Sequence, residues 1–169
     1  MTISLDLGCG HNMNNPFGAD SVVGVDPGID HPSVLKAWVG IEDIPLNDNS
    51  VDYVTAYDFI EHVPRFILKE GKPFNPFIHT MNEIWRVCKH GGKVFCRTPA
   101  YPTPQAFQDP THVNFITEQT IRYFTGQMPD QLGNQYGAHY GFIGMFRLDN
   151  QTVWNKAWLE WHLTCIKNK

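Results

Sequence analysis

Short apolar runs in this chain break off, one after another, at glycine or a carboxylate. Ile3-Ser4-Leu5-Asp6-Leu7 runs into Gly8-Cys9-Gly10, and Ser21-Val22-Val23-Gly24-Val25 runs into Asp26-Pro27-Gly28. Val34 to Val39 precedes Ile41-Glu42-Asp43-Ile44-Pro45, and Val51 to Tyr57 stops at Asp58. Lys93 to Thr98 opens into a proline-rich loop from Pro99 to Asn114. Runs of this length, rich in β-branched residues and closed by turn formers, read as strands. Phe77, Ile78, Met81, Ile84, Trp85 and Cys88 recur at three- and four-residue steps. That spacing predicts a helix from about Pro76 to His90, with Gly91-Gly92 as its C-cap. Alternation of this kind predicts an α/β fold, a doubly wound, Rossmann-like, mostly parallel sheet. Phe142 to Leu148 and Leu159 to Ile166 predict two further strands, near enough to pair as an antiparallel C-terminal edge. A short helix is expected from Thr117, whereas Asn12, Asn14, Asn15, Pro16 and Gly18 leave the first connection mostly loop.

With 169 residues, 42% of them hydrophobic, the chain fits one ordinary globular domain. A formal net charge of -4 disfavours a dedicated nucleic-acid binder, which usually presents a basic face. Cys9, Cys88, Cys96 and Cys165 form no CxxC pair, and the histidine spacings around them match no zinc pattern. The sequence therefore implies no metal site, only free buried thiols in a reducing compartment. No apolar stretch approaches the ~20 residues that span a bilayer. No basic segment followed by an apolar core opens the chain. The expectation is a cytoplasmic protein that does not enter a membrane.

In open parallel sheets, ligands bind outside the carboxyl ends of the strands. The informative polar residues gather at those ends: Gly8 and Gly10, then Asp26, then Glu42 and Asp43, then Asp58, then Arg97 to Tyr101. Glycines let backbone approach a ligand where a Cβ would collide. An acidic residue at the tip of the second strand is placed to accept hydrogen bonds from ribose hydroxyls. Taken singly, the Gly-Cys-Gly bend and the Asp-Pro-Gly tip are also plain turns. Together, each following a strand, they favour a nucleoside ligand.

The motifs resemble a known family. Leu5-Asp6-Leu7-Gly8-Cys9-Gly10 resembles the first motif of class I S-adenosylmethionine-dependent methyltransferases, and Val23-Gly24-Val25-Asp26 their second. Ile44-Pro45-Leu46-Asn47-Asp48-Asn49-Ser50-Val51-Asp52 is similar to a stretch of the subgroup built on the common methyltransferase domain, as is Phe59-Ile60-Glu61-His62-Val63. Glu83-Ile84-Trp85-Arg86-Val87-Cys88-Lys89-His90-Gly91-Gly92-Lys93 is similar to the segment before that family's fifth strand. The resemblance spans about residues 3 to 98 and implies a seven-stranded sheet ending in a reversed hairpin. It implies a cofactor half to about residue 98, with an acceptor-side loop and C-terminal strands from 99 to 169. It also implies S-adenosylmethionine as cofactor and S-adenosylhomocysteine as product. Asp6, Gly8 and Gly10 would surround the methionine part, Asp26 with Pro27 would hold the ribose end, and Tyr57 and Asp58 would lie near the sulfonium. The acidic residue that often meets the adenine aligns nearest Gly40, so Glu42 or Asp43 must substitute. The first strand starts at Ile3, so the segment that covers the cofactor in many members is not expected here. A partner chain or a homo-oligomer would compensate.

Methyl transfer from a sulfonium needs alignment and exclusion of water more than acid–base help. Where the acceptor must lose a proton, His112 is the first candidate, followed by Asp109 and His62. Asp109 and His112 have a plain alternative as fasteners of their loop, and His62 as a packing residue beside Pro64. Trp154, Trp158 and Trp161, near Tyr136, Tyr140 and Phe142, suit either a flat acceptor or a core. The acceptor is not specified, although the acidic balance mildly favours a small molecule. One rival is a nicotinamide oxidoreductase, which expects a third glycine where Met13 stands. Another is a non-catalytic subunit that keeps the fold.

Overall fold

The computed structural model describes residues 1–167. Seven strands form one sheet: β1 (Ile3–Leu7), β2 (Ser21–Val25), β3 (Val34–Leu35), β4 (Val51–Tyr57), β7 (Cys88–Pro99), β8 (Phe146–Trp154) and β9 (Trp158–Cys165). A separate small hairpin pairs β5 (Ile67–Lys69) with β6 (Lys72–Phe74), and the helices are α1 (Pro76–Val87) and the four-residue α2 (Gln105–Gln108). The strand order is β3-β2-β1-β4-β7-β9-β8. Pairings from β3 through to β7 are parallel, and β9 runs antiparallel to both β7 and β8. The expected doubly wound sheet is therefore present. Its closing hairpin folds back on itself, so β9 is inserted beside β7 and β8 takes the outer edge.

The register explains which face is buried. Leu5, Val54, Val94 and Leu163 sit side by side across β1, β4, β7 and β9, and Leu7, Ala56, Cys96 and Trp161 form the next row. All of these are buried and belong to one cluster with Met81, Ile84 and Val87 of α1. The intervening rows, Ser4-Tyr53-Lys93-Thr164 and Asp6-Thr55-Phe95-His162, lie on the opposite face because side chains alternate along a strand. That face carries no helix from the first crossover, and Phe17 from the loop stacks on Tyr53 with ring centroids 4.7 Å apart.

α1 begins at Asn75, whose side chain accepts a hydrogen bond from Ile78 N at 3.2 Å, with Pro76 in the first turn. It ends at Val87 rather than His90. Cys88 already pairs with Val51, and the register then shifts so that Lys93 meets Tyr53. Gly91-Gly92 thus forms a bulge inside β7, not a helix cap: Gly91 has φ +77°, and a Cβ on Gly92 would lie 2.8 Å from Asp52 O. The third strand is two residues long, not six. Thr120–Phe124 forms a 3-10 turn where a short helix was expected from Thr117. The β5–β6 hairpin went unforeseen; it turns at Glu70-Gly71, both at positive φ, as a two-residue hairpin demands.

The Glu83/Arg86 pair near the end of α1 has a structural task. Arg86 meets the Glu83 carboxylate with both Nε and Nη2 at 2.7 Å. The same guanidinium donates to Ile44 O, Leu46 O and Asp48, while Glu83 accepts from Ile44 N. The loop leading into β4 is thereby clamped to α1.

Candidate active site

The carboxyl ends of β1, β2, β4 and β7 meet at one rim. Gly8 N donates to Val25 O at 2.9 Å, tying the end of β1 to that of β2. Gly8 has φ +61°, and a Cβ there would come within 2.4 Å of the Phe59 ring. Gly10 has φ +55°, and a Cβ added there would meet nothing within 4 Å. Its N–H donates to Asp26 Oδ2 at 3.2 Å, and Gly28 N donates to Asp26 Oδ1 at 2.8 Å. The glycine bend and the carboxylate are therefore neighbours, aligned by backbone donors, and the carboxylate keeps lone pairs for further hydrogen-bond donors.

Beside Asp26 lies an apolar cavity of about 230 Å³ lined by Pro27, Trp38, Val39, Phe59, His62 and Val63, among others. Of these only Pro27 and His62 were candidates from the sequence. Phe59 could have been suspected from Gly8, since a ring packed on a bend requires the missing Cβ. Glu42 and Asp43 stand outside this lining. Glu42 Oε2 accepts from Trp38 N at 2.7 Å within its own turn, and Asp43 lies 3.3 Å from His79 Nε2 on α1. Asp6 also points elsewhere. It is fully buried and accepts from Thr55 Oγ1 at 2.6 Å and from Asn14 N at 2.7 Å. Burial pushes its carboxyl above the ordinary carboxylate range, against the pull of these bonds. Its work is to tether the loop that follows Gly10.

On the other side of His62 is a second cavity, about 240 Å³, lined by Asp58, Glu61, His62, Pro99, Gln105, Gln108, Asp109, His112 and Trp158. Asp58, at the tip of β4 with φ +46°, pairs with Arg97 and accepts from Trp158 Nε1 at 3.1 Å. Arg97 also lies 5.0 Å over the Tyr57 ring, so Tyr57 is held beneath this ion pair. The loop at residues 109–114 is fastened onto the 3-10 turn Ile60–His62: Val113 N and Asn114 N both donate to Glu61 O. Asp109 Oδ1 accepts from Thr111 N and Oγ1, and Thr111 Oγ1 stands 2.9 Å from His62 Nδ1. His112 Nε2 is 4.0 Å from both Glu61 Oε1 and Asp109 Oδ2, and its ring meets that of His62 edge-on. The three candidate proton acceptors, His62, Asp109 and His112, are thus brought together.

The residue the sequence reading passed over is Glu61. It is 1% exposed, and burial pushes its carboxyl up to about 7. The signal for it was a carboxylate inside the otherwise apolar Phe59–Val63 run. Burial, and then the neighbouring His112, lower the affinity of His62 for a proton. Of the C-terminal tryptophans, Trp158 lines this cavity, Trp161 is in the core, and Trp154 is exposed beside Trp158.

Comparison with known proteins bears on the family and the fold. Demethylmenaquinone methyltransferase of Bacillus cereus (strain B4264) is 33% identical over 66 residues, 39% of this chain and 23% of that protein. The same enzyme of Bacillus anthracis (strain A0248) matches equally. The match thus spans about a quarter of the length of these curated relatives. Among solved structures, the fold is similar to the Haloferax volcanii complex of the Trm112 methyltransferase activator with a methyltransferase. There the TM-score is 0.62 at 14% identity, over 98% of this chain and 83% of that one. A SAM-dependent methyltransferase from Aquifex aeolicus gives a TM-score of 0.60 at 15% identity, over 98% and 82%. Residues 5–96, more than half of the 169, match the family described as the methyltransferase domain, and that stretch carries the glycine bend, Asp26 and Glu61. The chain belongs to the methyltransferase-domain family.

Proposed function

We propose that the chain transfers a methyl group from S-adenosylmethionine to a small-molecule acceptor, leaving S-adenosylhomocysteine. The observation that carries this reading is the pairing of Gly10 N–H with the Asp26 carboxylate beside an apolar cavity. The donor set fits the cofactor: a carboxylate for the ribose hydroxyls, an apolar slot for a flat base, and open space over Gly10 for close backbone approach. When bound, S-adenosylmethionine supplies an already activated methyl group. The residues of the chain then orient and exclude water. Asp26 and Pro27 hold the ribose end, Phe59 and Trp38 wall the base, and Asp58, kept in place by Arg97 and Trp158, borders the cavity for the acceptor. His62 lines both cavities. An acceptor that must release a proton does so into the cluster of Asp109, His62 and His112.

Calorimetric titration with S-adenosylmethionine, S-adenosylhomocysteine and NADH tests the assignment. Binding of the two sulfur nucleosides and not of NADH is expected, since the first crossover has no helix N-terminus for a pyrophosphate. Turnover on an acceptor panel separates the enzyme from a fold-retaining subunit. His112→Ala should then slow turnover and leave S-adenosylhomocysteine affinity intact. The Haloferax neighbour is paired with an activator protein. Carried to this chain, that makes a partner chain or second copy part of the proposal, read by light scattering on the purified protein. The cytoplasm is the proposed compartment: all four cysteines are free and buried, and no helix among the described residues is long and apolar enough to cross a membrane.

A further inference from the structure

Glu61, His62 and His112 each offer one ligand atom, and these three atoms lie within 4.8 Å of one another. The sequence hides this set, because fifty residues separate His62 from His112 and no zinc-like spacing links them. The fold brings them together by fastening the loop at 109–114 onto the turn after β4.

One feature of the cluster is unexplained by packing. Glu61 accepts from Thr98 Oγ1 with Oε2 at 3.0 Å, but its buried Oε1 has no hydrogen-bond partner among the described residues. A buried polar atom left in this state costs about 1–3 kcal/mol, so its persistence needs a reason. The 4.0 Å between His112 Nε2 and Glu61 Oε1 is too long for a hydrogen bond. It is, however, close to the ~3.3 Å that separates two donors on one small cation with bonds of about 2.0 Å. The set as a whole, with its atoms up to 4.8 Å apart, closes with a shift of roughly 1.5 Å, within side-chain rotation. The outer groups also suit ligation. Thr111 holds His62 at Nδ1 and is itself held by Asp109, the kind of second layer that orients metal-bound imidazoles.

We propose that Glu61, His62 and His112 form a binding site for one divalent transition-metal ion of the zinc class. Two imidazoles and a carboxylate are the donors such ions prefer, and three protein ligands leave a coordination position open. All three residues line the cavity bordered by Asp58 and Trp158, into which that position would open. If that cavity is the acceptor pocket, a point that rests on the function proposed above, the ion would select acceptors carrying an oxygen that can ligate it. With His62 and His112 giving their lone pairs to the ion, Asp109, whose Oδ2 is 4.0 Å from His112, would be the member of the proton-accepting cluster left free to take a proton.

Metal binding is measured on chelator-stripped protein, with no cofactor present. Calorimetry with Zn²⁺ should give one ion per chain, and Co²⁺ should develop a visible d–d absorption that Zn²⁺ bleaches. Glu61→Gln, His62→Gln and His112→Gln should each weaken Zn²⁺ binding by at least tenfold, and Thr111→Val by ~10–100-fold as an outer-layer change. His90→Gln, an exposed histidine at the other end of β7, should change nothing. Thermal unfolding of each metal-free variant checks that it is folded. A wild-type protein without the Co²⁺ band overturns the proposal, as does a Glu61→Gln/His112→Gln variant that is folded and binds Zn²⁺ as tightly as wild type. S-adenosylhomocysteine titrated into metal-free protein reads the cofactor groove alone, so failure of the methyltransferase reading shows on a separate curve.

Discussion

Alanine at Gly8 and alanine at Gly10 place the same methyl group on the same bend, in two different surroundings. Both residues have positive φ, +61° and +55°, so each substitution carries the left-handed penalty of about 1–2 kcal/mol. At Gly10 nothing lies within 4 Å, and the stability loss should stop there. At Gly8 the new Cβ meets Phe59 Cδ2 at 2.4 Å, Cγ at 3.0 Å and Cβ at 3.3 Å. The inner two of these atoms cannot swing away by ring rotation alone, which adds the cost of overpacking, about 1–3 kcal/mol. Gly8→Ala should therefore lose about 2–5 kcal/mol and Gly10→Ala about 1–2. For a chain of this size each kcal/mol lowers Tm by about 2–4 °C. Urea unfolding followed by tryptophan fluorescence measures the difference. Binding should rank the other way relative to stability. Gly10→Ala fills the space a ligand must approach and should weaken S-adenosylhomocysteine by ~10-fold or more, about 1.4 kcal/mol, while the protein remains well folded. If Gly10→Ala binds normally, the bend is only a turn. If both variants lose equal stability, the Phe59 contact is not what requires glycine at position 8.

Asp26→Ala should weaken S-adenosylhomocysteine binding by ~10-fold or more, the scale of a lost charged hydrogen bond, and unchanged calorimetry would reduce Asp26 to a turn residue. Arg86→Leu leaves the Glu83 carboxylate, 5% exposed, without its cation and should cost about 3–5 kcal/mol in urea unfolding. A loss below ~1 kcal/mol would mean the clamp on the loop before β4 is idle. Asp149 is opposed by burial, yet hydrogen bonds from Thr164, Lys93 and Arg147 hold its carboxyl down to about 2, below its ordinary 3.8. Its folded-state value is depressed, so the stability it contributes is present above about 3.8 and is lost as pH falls through about 2. Asp149→Asn should thus destabilise at pH 7 and much less near pH 2, judged by urea midpoints; an equal loss at both would assign the effect to packing.

The strands at Ile3–Leu7, Ser21–Val25 and Val51–Tyr57, the helix and the polar residues at the strand ends were readable because each is local. An apolar run followed by glycine or aspartate reports its own strand and turn, and the step of three and four along Phe77 to Trp85 reports its own helix. The misplacements have causes mainly in contacts between distant segments. Gly91-Gly92 looks like a helix end, but Cys88 is drawn into pairing with Val51 and the glycines become a bulge in β7. Glu42 and Asp43 stand at a strand end, yet their carboxylates are already engaged by the Trp38 amide and by His79.

By itself the sequence determined the parallel sheet, the pairing of a glycine bend with Asp26, and the family, since those depend on patterns over a few residues. Only the tertiary structure decided that Asp6 anchors a loop, that Phe59 and Trp38 wall the apolar cavity beside Asp26, and that Glu61 meets His62 and His112. These are contacts between segments up to 51 residues apart in the chain, Glu61 and His112 among them. Burial then alters what each group can do, as with the Glu61 carboxyl pushed up to about 7. Burial and proximity arise only when the chain closes on itself, and no local pattern of residues encodes them.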